Sequence, residues 1–571
     1  MKAKDVQVFP ITTNTRVLRS RTWDRLKFEI EYALQHGTTA NTYLIQADKI
    51  ALFDPPGESF SDIFLSALQE RIDPKTIDYI ILGHVNPNRG VTLKELLKIA
   101  PQITFVTSNP GAISLKKILE DQTLNIKVIK TEETLDLGQG HVLEFILTPS
   151  PRWPDQLCTY DPKTAILYTD KLFGAHVCGD QVLDEGWNIY REDRRYYFDC
   201  LMAPHATQTE SALEKLSAKP AQLYATGHGP LVRYGLTELT SSYKEWLKQQ
   251  KASKSSVAVL YASAYGSTAT LASAIARGVT KAGVAVESIN CEFAEPDEIK
   301  AAVAKAEGFI MGSPTLGGHA PTPVQTALGI VLATADKTKL SAAFGSYGWS
   351  GEAIDLLEQK FKDAGYRQGF EPIRVKFKPT DSTLKYCEES GTDFAQILKR
   401  QQKKRTLKQP TADSQADRTE QAVGRIVGSL CVVTTQKGEL SSAMLASWVS
   451  QATFNPPGLT ISVAKERAIE SIMHAGDSFV LNILPDEKPQ LQKQFTKNYK
   501  PGEDRFEGIE TEEAENGCPL LKDSLAYLEC RVNNRMECGD HWVVYAVAER
   551  GQVLDDEGVT AVHHRKSGSF Y

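Results

Sequence analysis

The sequence contains no Cys-x-x-Cys pair; its nine cysteines stand singly along 571 residues. That scatter excludes a disulfide framework and any iron–sulfur or rubredoxin-like centre, and it predicts nine reduced, mostly buried thiols. There is also no apolar run near the length of a membrane span, so no integral membrane segment is expected. A hydrophobic fraction of 41% and a net charge of −6 describe an ordinary soluble composition, with no basic excess to suggest nucleic acid or an anionic lipid surface as partner. The opening Met1-Lys2-Ala3-Lys4-Asp5-Val6 lacks the apolar core and small-residue cleavage site of a signal peptide, which predicts a cytoplasmic protein. No internal repeat is visible.

What is present is length: 571 residues exceed one hydrophobic core and imply three or four domains. Two breaks in composition divide them. The first, Gln249 to Ser256, is polar and aperiodic and leads at once into the apolar Val257-Ala258-Val259-Leu260. The second, from Arg400 to Asp417, is basic and then rich in Thr, Ser, Gln and Asp, as in a solvated linker. Three segments result: 1–250, 256–400 and 418–571.

In the middle segment the strand at Val257–Leu260 leads into Ser263-Ala264-Tyr265-Gly266-Ser267-Thr268, after which Leu271, Ile275 and Val279 recur four apart as on a buried helix face. A strand, a hydroxyl-rich turn and a helix start offer neutral N–H and O–H donors to a phosphate without a lysine. This is how flavodoxins hold the FMN monophosphate. Two more strands end in comparable loops, Ser313-Pro314-Thr315-Leu316 and Gly345-Ser346-Tyr347-Gly348-Trp349-Ser350-Gly351. Ligands bind beyond the carboxyl ends of parallel strands, so the three loops are expected to converge on FMN, with Tyr347 or Trp349 walling its ring.

The first two segments together resemble the flavodiiron proteins, in which a metallo-β-lactamase-like diiron domain is fused to a flavodoxin domain. Gly37-Thr38-Thr39-Ala40-Asn41-Thr42-Tyr43-Leu44-Ile45, Trp153-Pro154-Asp155 and Phe344-Gly345-Ser346-Tyr347-Gly348-Trp349-Ser350-Gly351-Glu352-Ala353 are similar to that family's landmarks. The resemblance implies seven metal ligands, the first run being His-x-Glu-x-Asp-His. Here the run reads His84-Val85-Asn86-Pro87-Asn88-Arg89, delivered by the apolar Ile77–Gly83. His84, Asp170 and His228 match the family's ligands, whereas Asn86, Asn88, Arg89 and Arg152 replace the other four. Amide oxygens are poor donors to a hard cation and guanidinium is none, so the diiron site is expected to be degenerate and without metal. If both arginines point inward, they can pair with Asp170 and with a bound anion such as chloride. His84, Asp170 and His228 leave at most one weakly held metal, and His36, His141 and His176 are expected to be structural or surface groups. A zinc hydrolase is excluded on the same donor count.

The third segment has short β-rich runs at Leu430–Thr435, Gly458–Val463, Phe479–Ile483 and Trp542–Val547, as in a barrel. Met444-Leu445-Ala446-Ser447-Trp448-Val449-Ser450-Gln451, Asn455-Pro456-Pro457, Ala464-Lys465-Glu466-Arg467 and Gly539-Asp540-His541 resemble the split-barrel flavin reductases that use NAD(P)H. That likeness implies a second flavin, FMN or FAD, along Ser447, Trp448, Ser450, Gln451 and Lys465, with Lys465 or Arg467 near its phosphate and His541 at the ring or nicotinamide. A core carrying this appended reductase resembles the three-domain flavodiiron proteins of oxygenic phototrophs. The implied fold is multidomain α/β: a metallo-β-lactamase-like αββα sandwich, a flavodoxin-like doubly wound domain and a flavin reductase-like split β-barrel.

In the family, electrons run from NAD(P)H through flavin to a diiron site that reduces oxygen to water, and subunits pair head to tail as dimers. The resemblance therefore implies an NAD(P)H-dependent flavin oxidoreductase, working in photoprotective electron removal as a homodimer or as a hetero-oligomer with a flavodiiron partner that keeps all seven ligands. Two other readings remain open: a stand-alone NAD(P)H:flavin reductase, and a regulatory subunit whose arginine-lined pocket senses an anion. The choice between NADH, NADPH and ferredoxin as donor, and between oxygen and nitric oxide as acceptor, is open at this level.

Overall fold

The computed structural model describes residues 3–23, 36–130, 133–253, 255–406, 415–497 and 499–565. It packs as two compact units, residues 1–273 with 285–336, and residues 274–284 with 337–571.

In the first unit, a seven-stranded sheet runs in sequence order through Asp5–Pro10, Thr15–Thr22, Thr38–Gln46, Ile50–Phe53, Tyr79–Ile81, Thr104–Ser108 and Asn125–Ile129. Its first four strands are antiparallel hairpin neighbours, and from Ile50–Phe53 onward the pairing is parallel, with helices Ser61–Gln69, Gly90–Ile99 and Asn109–Ile118 among the connections. A second sheet has the order Leu223–Thr226, Ile166–Asp170, Leu157–Asp161, Val142–Leu147, Thr134–Asp136. Tyr43, Phe53, Ile81 and Val106 of one sheet and Phe145, Leu157, Tyr168 and Leu223 of the other form one buried core, and Phe53 stacks on Tyr168 with ring centroids 4.2 Å apart. Each sheet covers its other face with helices: Phe64, Leu68, Leu93, Leu96 and Leu115 on the first, Phe198, Leu213, Leu216, Tyr243 and Trp246 on the second. This is the αββα sandwich. Strand Ser256–Tyr261 lies between Ala285–Asn290 and Gly308–Pro314, all parallel, and its side chains and those of Gly308–Pro314 are almost uniformly buried, as a sheet covered on both faces requires.

In the second unit, Leu340–Tyr347 pairs in parallel with Arg367–Gln368 and Ile373–Lys376. Helix Asp381–Thr406 crosses the later turns of helix Ser267–Lys281 at backbone contact. A Cβ on Gly278 would lie 1.9 Å from the Glu388 carbonyl oxygen, and one on Gly391 would lie 2.2 Å from that of Ile275. The barrel is wholly antiparallel, in the order Leu440–Ala446, Cys431–Lys437, Ser478–Ile483, Ala526–Cys538, His541–Val553, Pro457–Ala464, Val449–Phe454, around Val433, Ile461, Phe479, Val532 and Val544.

Both expected linkers are partly helical. Helix Leu236–Ala252 runs through Gln249–Ala252, and helices Asp381–Thr406 and Gln415–Val423 enter the second break, of which residues 407–414 lie outside the described residues. Polar composition had suggested coil, but a helix can continue on polar residues when its other turns are anchored, here by Tyr243 and Trp246 in one case and by Leu384, Phe394 and Leu398 in the other.

Candidate functional sites

Four of the seven motif positions, Asn86, Asn88, Arg89 and His228, line a polar cavity of about 210 Å³ together with Asn41, Asp54 and Lys171. Asn86 does not turn its oxygen to a cation. It accepts the Asn88 N–H at 3.0 Å and so starts the 3₁₀ turn Pro87–Arg89. That turn brings Arg89 inward, where its guanidinium donates to Asp54, to the His84 carbonyl at 3.0 Å and to Asp170 at 3.5 Å. The Lys171 ammonium stands 3.7 Å from the same Asp170 oxygen.

Burial and the neighbouring Asp170 push the Asp54 carboxyl up from its ordinary value, and Arg89 pulls it back. Asp54 and Asp170 both adopt left-handed backbone, with φ of 48° and 43°, a conformation that costs a non-glycine residue about 1–2 kcal/mol. His228 donates from Nδ1 to the Thr39 carbonyl at 2.6 Å. His84 holds Asp155 at 2.7 Å, and despite its burial Asp155 is kept below the ordinary carboxylate range by His84 and the Val85 N–H.

One expectation is corrected here. Arg152 does not line the cavity; it donates to Ser273 in helix Ser267–Lys281 and lies 5.4 Å from the Trp153 ring. Two carboxylates, Asp54 and Asp170, therefore face Arg89 and Lys171, in place of one carboxylate facing two arginines. Asp54 and Lys171 were missed because neither belongs to the seven-ligand motif; the signal was the pair of charges, Asp54 and Lys171, flanking the ends of strands. With its carboxylates engaged by cations, the donor set does not fit two irons. Among the described residues no group of three or more His, Cys, Asp or Glu is placed to hold a metal. The other histidines are used elsewhere: His36 on Asp193, His141 on Asp161 in the interior, and His176 on Thr38.

The three loops expected at FMN are formed as follows. Ser263 Oγ accepts the Ala269 N–H at 3.1 Å and the Gly266 carbonyl accepts the Thr270 N–H at 3.0 Å, which together set the first turn of the helix beginning at Ser267. Gly266 has φ 83°, a region glycine reaches without strain. Ala264 and Tyr265 are exposed, Tyr265 to 91%, while Thr268 is buried below them. In the second loop Ser313 is buried, donating to the Pro314 carbonyl, and Leu316 closes a tight turn with His319. Thr315 Oγ1 has no protein hydrogen-bond partner, an orphan that a ligand oxygen would satisfy. In the other unit the strand ending at Tyr347 continues through Gly348 to Trp349, 91% exposed and edge-on to Phe377 at 6.3 Å, with Gly351 preceding helix Glu352–Asp363. Indole and phenol rings left in water at these loops fit a flavin that would cover them. Phe377, itself exposed, was missed because nothing in its sequence context marks a loop residue.

In the barrel, the Trp448 and His541 rings lie 5.0 Å apart and Ser447 is buried beside them. Ser450 and Gln451 point from the edge strand Val449–Phe454 into solvent. Lys465 is less available for a phosphate than its motif implied: its ammonium is 2.5 Å from Glu537 and 5.4 Å from the Trp542 ring. Arg565, unnoticed in the sequence, lies over Trp448 at 4.9 Å.

The three segments match three family profiles: the ODP family beta lactamase over residues 38–229, flavodoxin over 259–391 and the flavin reductase like domain over 423–569. Over its whole length the chain is 67% identical to diflavin flavoprotein A 6 of Nostoc sp. PCC 7120, covering 99% of that protein, and 67% identical to diflavin flavoprotein A 3 of Synechocystis sp. PCC 6803, covering 96% of it. The chain belongs to the diflavin flavoprotein A family, a branch of the flavodiiron proteins. A metal-soaked Flv1 flavodiiron core from Synechocystis sp. PCC 6803 superposes on 70% of the chain with a TM-score of 0.69 and 67% identity, covering all of that chain. As a diflavin flavoprotein, the chain carries a flavodoxin-like domain and a flavin reductase-like domain, binds flavin and serves electron transfer. Among the described residues no helix is long and apolar enough to cross a membrane.

Proposed function

We propose that this diflavin flavoprotein oxidises NAD(P)H at the barrel, passes the electrons to FMN held by loops 263–268, 313–316 and 345–351, and delivers them to a flavodiiron partner that keeps all seven ligands, where oxygen is reduced to water. The observation that carries this reading is the contrast between three well-formed flavin loops and a former metal cavity in which Arg89 engages both Asp54 and Asp170. Bound flavin supplies the hydride acceptance and the one-electron chemistry. The protein's own residues bind and orient: Ser263, Thr268 and the helix start at the phosphate, Tyr265, Tyr347 and Trp349 at the ring of FMN, and Trp448, His541 and Arg565 at the barrel flavin.

The modules assigned to these tasks are 1–250, 256–400 and 418–571, the assembly is a head-to-tail dimer or hetero-oligomer in the cytoplasm, and the role is photoprotective electron removal. The anion-sensing alternative loses support because Arg152 faces Ser273 and Arg89 is already matched by two carboxylates.

The test is to count iron and flavin per chain on one sample and to follow oxygen uptake with and without the partner. Flavin without iron, slow uptake yielding mainly peroxide alone, and a more than additive rate to water with the partner are expected. Rapid reduction of oxygen to water by the iron-free protein alone would overturn the reading, and merely additive rates would favour a stand-alone reductase.

A further inference from the structure

Helix Ser267–Lys281, which begins at the FMN phosphate loop, carries two buried cations four residues apart, Arg277 and Lys281. Lys281 is paired with the buried Glu388 of helix Asp381–Thr406. Arg277 instead reaches into the barrel, where its Nη2 lies 3.5 Å from Glu470 Oε2. Glu470 is 1% exposed, and its other oxygen accepts from Arg535 at 3.2 Å and from the Trp542 indole N–H at 3.1 Å. The Arg535 guanidinium in turn lies 4.3 Å over the Trp542 ring. One carboxylate thus joins the FMN helix to the barrel strand whose first residue, His541, packs on Trp448.

A carboxylate taken wholly out of water is a poor source of net stability, since a well-packed apolar cluster would serve as well; what such a group adds is a unique register between the elements it joins. Among the described residues, helix Asp381–Thr406 also meets the barrel segment through Lys385 to the Ser441 carbonyl at 2.8 Å, Glu389 to the Gly502 N–H at 3.1 Å and Lys399 to Glu466 at 3.5 Å. The last of these, with side chains 44% and 36% exposed, fixes little. The Tyr347–Gly351 loop belongs to the same compact unit as Arg277, Glu470 and the barrel.

We propose that Glu470 is a positioning residue: through Arg277 on one side and Arg535 with Trp542 on the other, it fixes the barrel against the FMN helix and so sets the distance over which electrons pass between the two flavins. This rests on the electron route proposed above. In that route NAD(P)H gives two electrons as hydride to the barrel flavin, which takes one further proton from solvent. The reduced flavin then loses two electrons and two protons, and FMN gains the same number, so no other reactant is required.

The experiment uses the full-length chain with Arg277→Gln, which leaves the Glu470–Arg535–Trp542 contacts inside the barrel intact. Flavin content and NAD(P)H-driven reduction of the barrel flavin are expected to match the parent, FMN reduction to slow by about tenfold or more, and backbone amides of 274–281 and 468–472 to exchange faster by a similar factor. Arg277→Lys is expected to recover most of both. Glu470→Gln is the second variant, expected to show the same two effects more strongly because it removes the charge that both Arg277 and Arg535 face. Unchanged amide exchange in Arg277→Gln would overturn the proposal whether or not flavin is bound. Unchanged FMN reduction in a protein that holds both flavins would overturn the positioning role. A parent that binds two flavins but takes no electrons from NAD(P)H would refute the electron route instead, leaving the exchange result to decide the clamp.

Discussion

Arg89→Leu tests whether an arginine has taken over the structural work of the metal ions. The substitution removes the one guanidinium that contacts both Asp54 and Asp170, whose side chains are 10% and 1% exposed. Breaking a buried pair by deleting one partner costs about 3–5 kcal/mol. Lys171 stays within 3.7 Å of Asp170, which argues for the lower end, about 3 kcal/mol. At about 2–4 °C per kcal/mol for a domain of this size, the transition of the first segment should fall by about 6–12 °C. Calorimetry on the full chain measures the fall, and amide exchange in strands Ile50–Phe53 and Tyr79–Ile81 assigns it. The control is Arg89→Leu with Asp54→Leu, which removes the stranded carboxylate together with its partner and should regain most of the loss. A single variant as stable as the parent, or a double variant worse than the sum of its parts, would refute the idea that Arg89 replaces metal charge.

Restoring the donor set by Asn86→Glu, Asn88→Asp, Arg89→His and Arg152→His should give partial iron uptake by elemental analysis; complete failure would place the obstacle in the backbone or in the groups that orient the ligands. Gly266→Ala should cost about 1 kcal/mol, since a Cβ there meets nothing within 4 Å and only the left-handed backbone resists it; a denaturant titration reads this. Trp448→Ala should weaken flavin binding to the isolated reductase step while leaving FMN content unchanged, as two-wavelength flavin titration would show. Glu470 is held near pKa 2 because Arg277, Arg535 and Lys281 outweigh the burial that would raise it. A depressed carboxylate stabilises above its unfolded value of 4.5 and loses that contribution as pH falls toward 2, so the deficit of Glu470→Gln, about 3 kcal/mol at neutral pH, should shrink through that window in urea titrations at stepped pH.

The strands of the flavodoxin and barrel segments were readable because each is a short apolar run closed by glycine or a turn, and Val257–Leu260, Gly308–Gly312 and Phe479–Ile483 lie inside observed strands. Ile77–Gly83 yields only the three-residue strand Tyr79–Ile81, since Ile77 still closes the 3₁₀ turn Pro74–Thr76. The replacement of ligand residue types could be read position by position, whereas the inward turn of Arg89 was only a condition at that level; the structure places Arg89 on Asp54 and Asp170. The destination of Arg152 was not, because a motif fixes sequence neighbours and says nothing of a helix 121 positions away. Asp54, Lys171, Phe377 and Glu470 escaped for the same reason: their roles arise from long-range packing around single charged or aromatic residues, which carry no periodic pattern.

At Gly278 and Gly391 the two helices cross with backbone against backbone, and the room left is taken by the Thr392 hydroxyl, which donates to the Gly278 carbonyl at 3.1 Å, and by the Lys281–Glu388 pair beside it. A joint closed by backbone contact and two held side chains has few rotamers to rearrange and therefore little with which to absorb a shear. A force reaching helix Asp381–Thr406 is passed with little damping to residues 274–281, so in this molecule a displacement of one helix is a displacement of both.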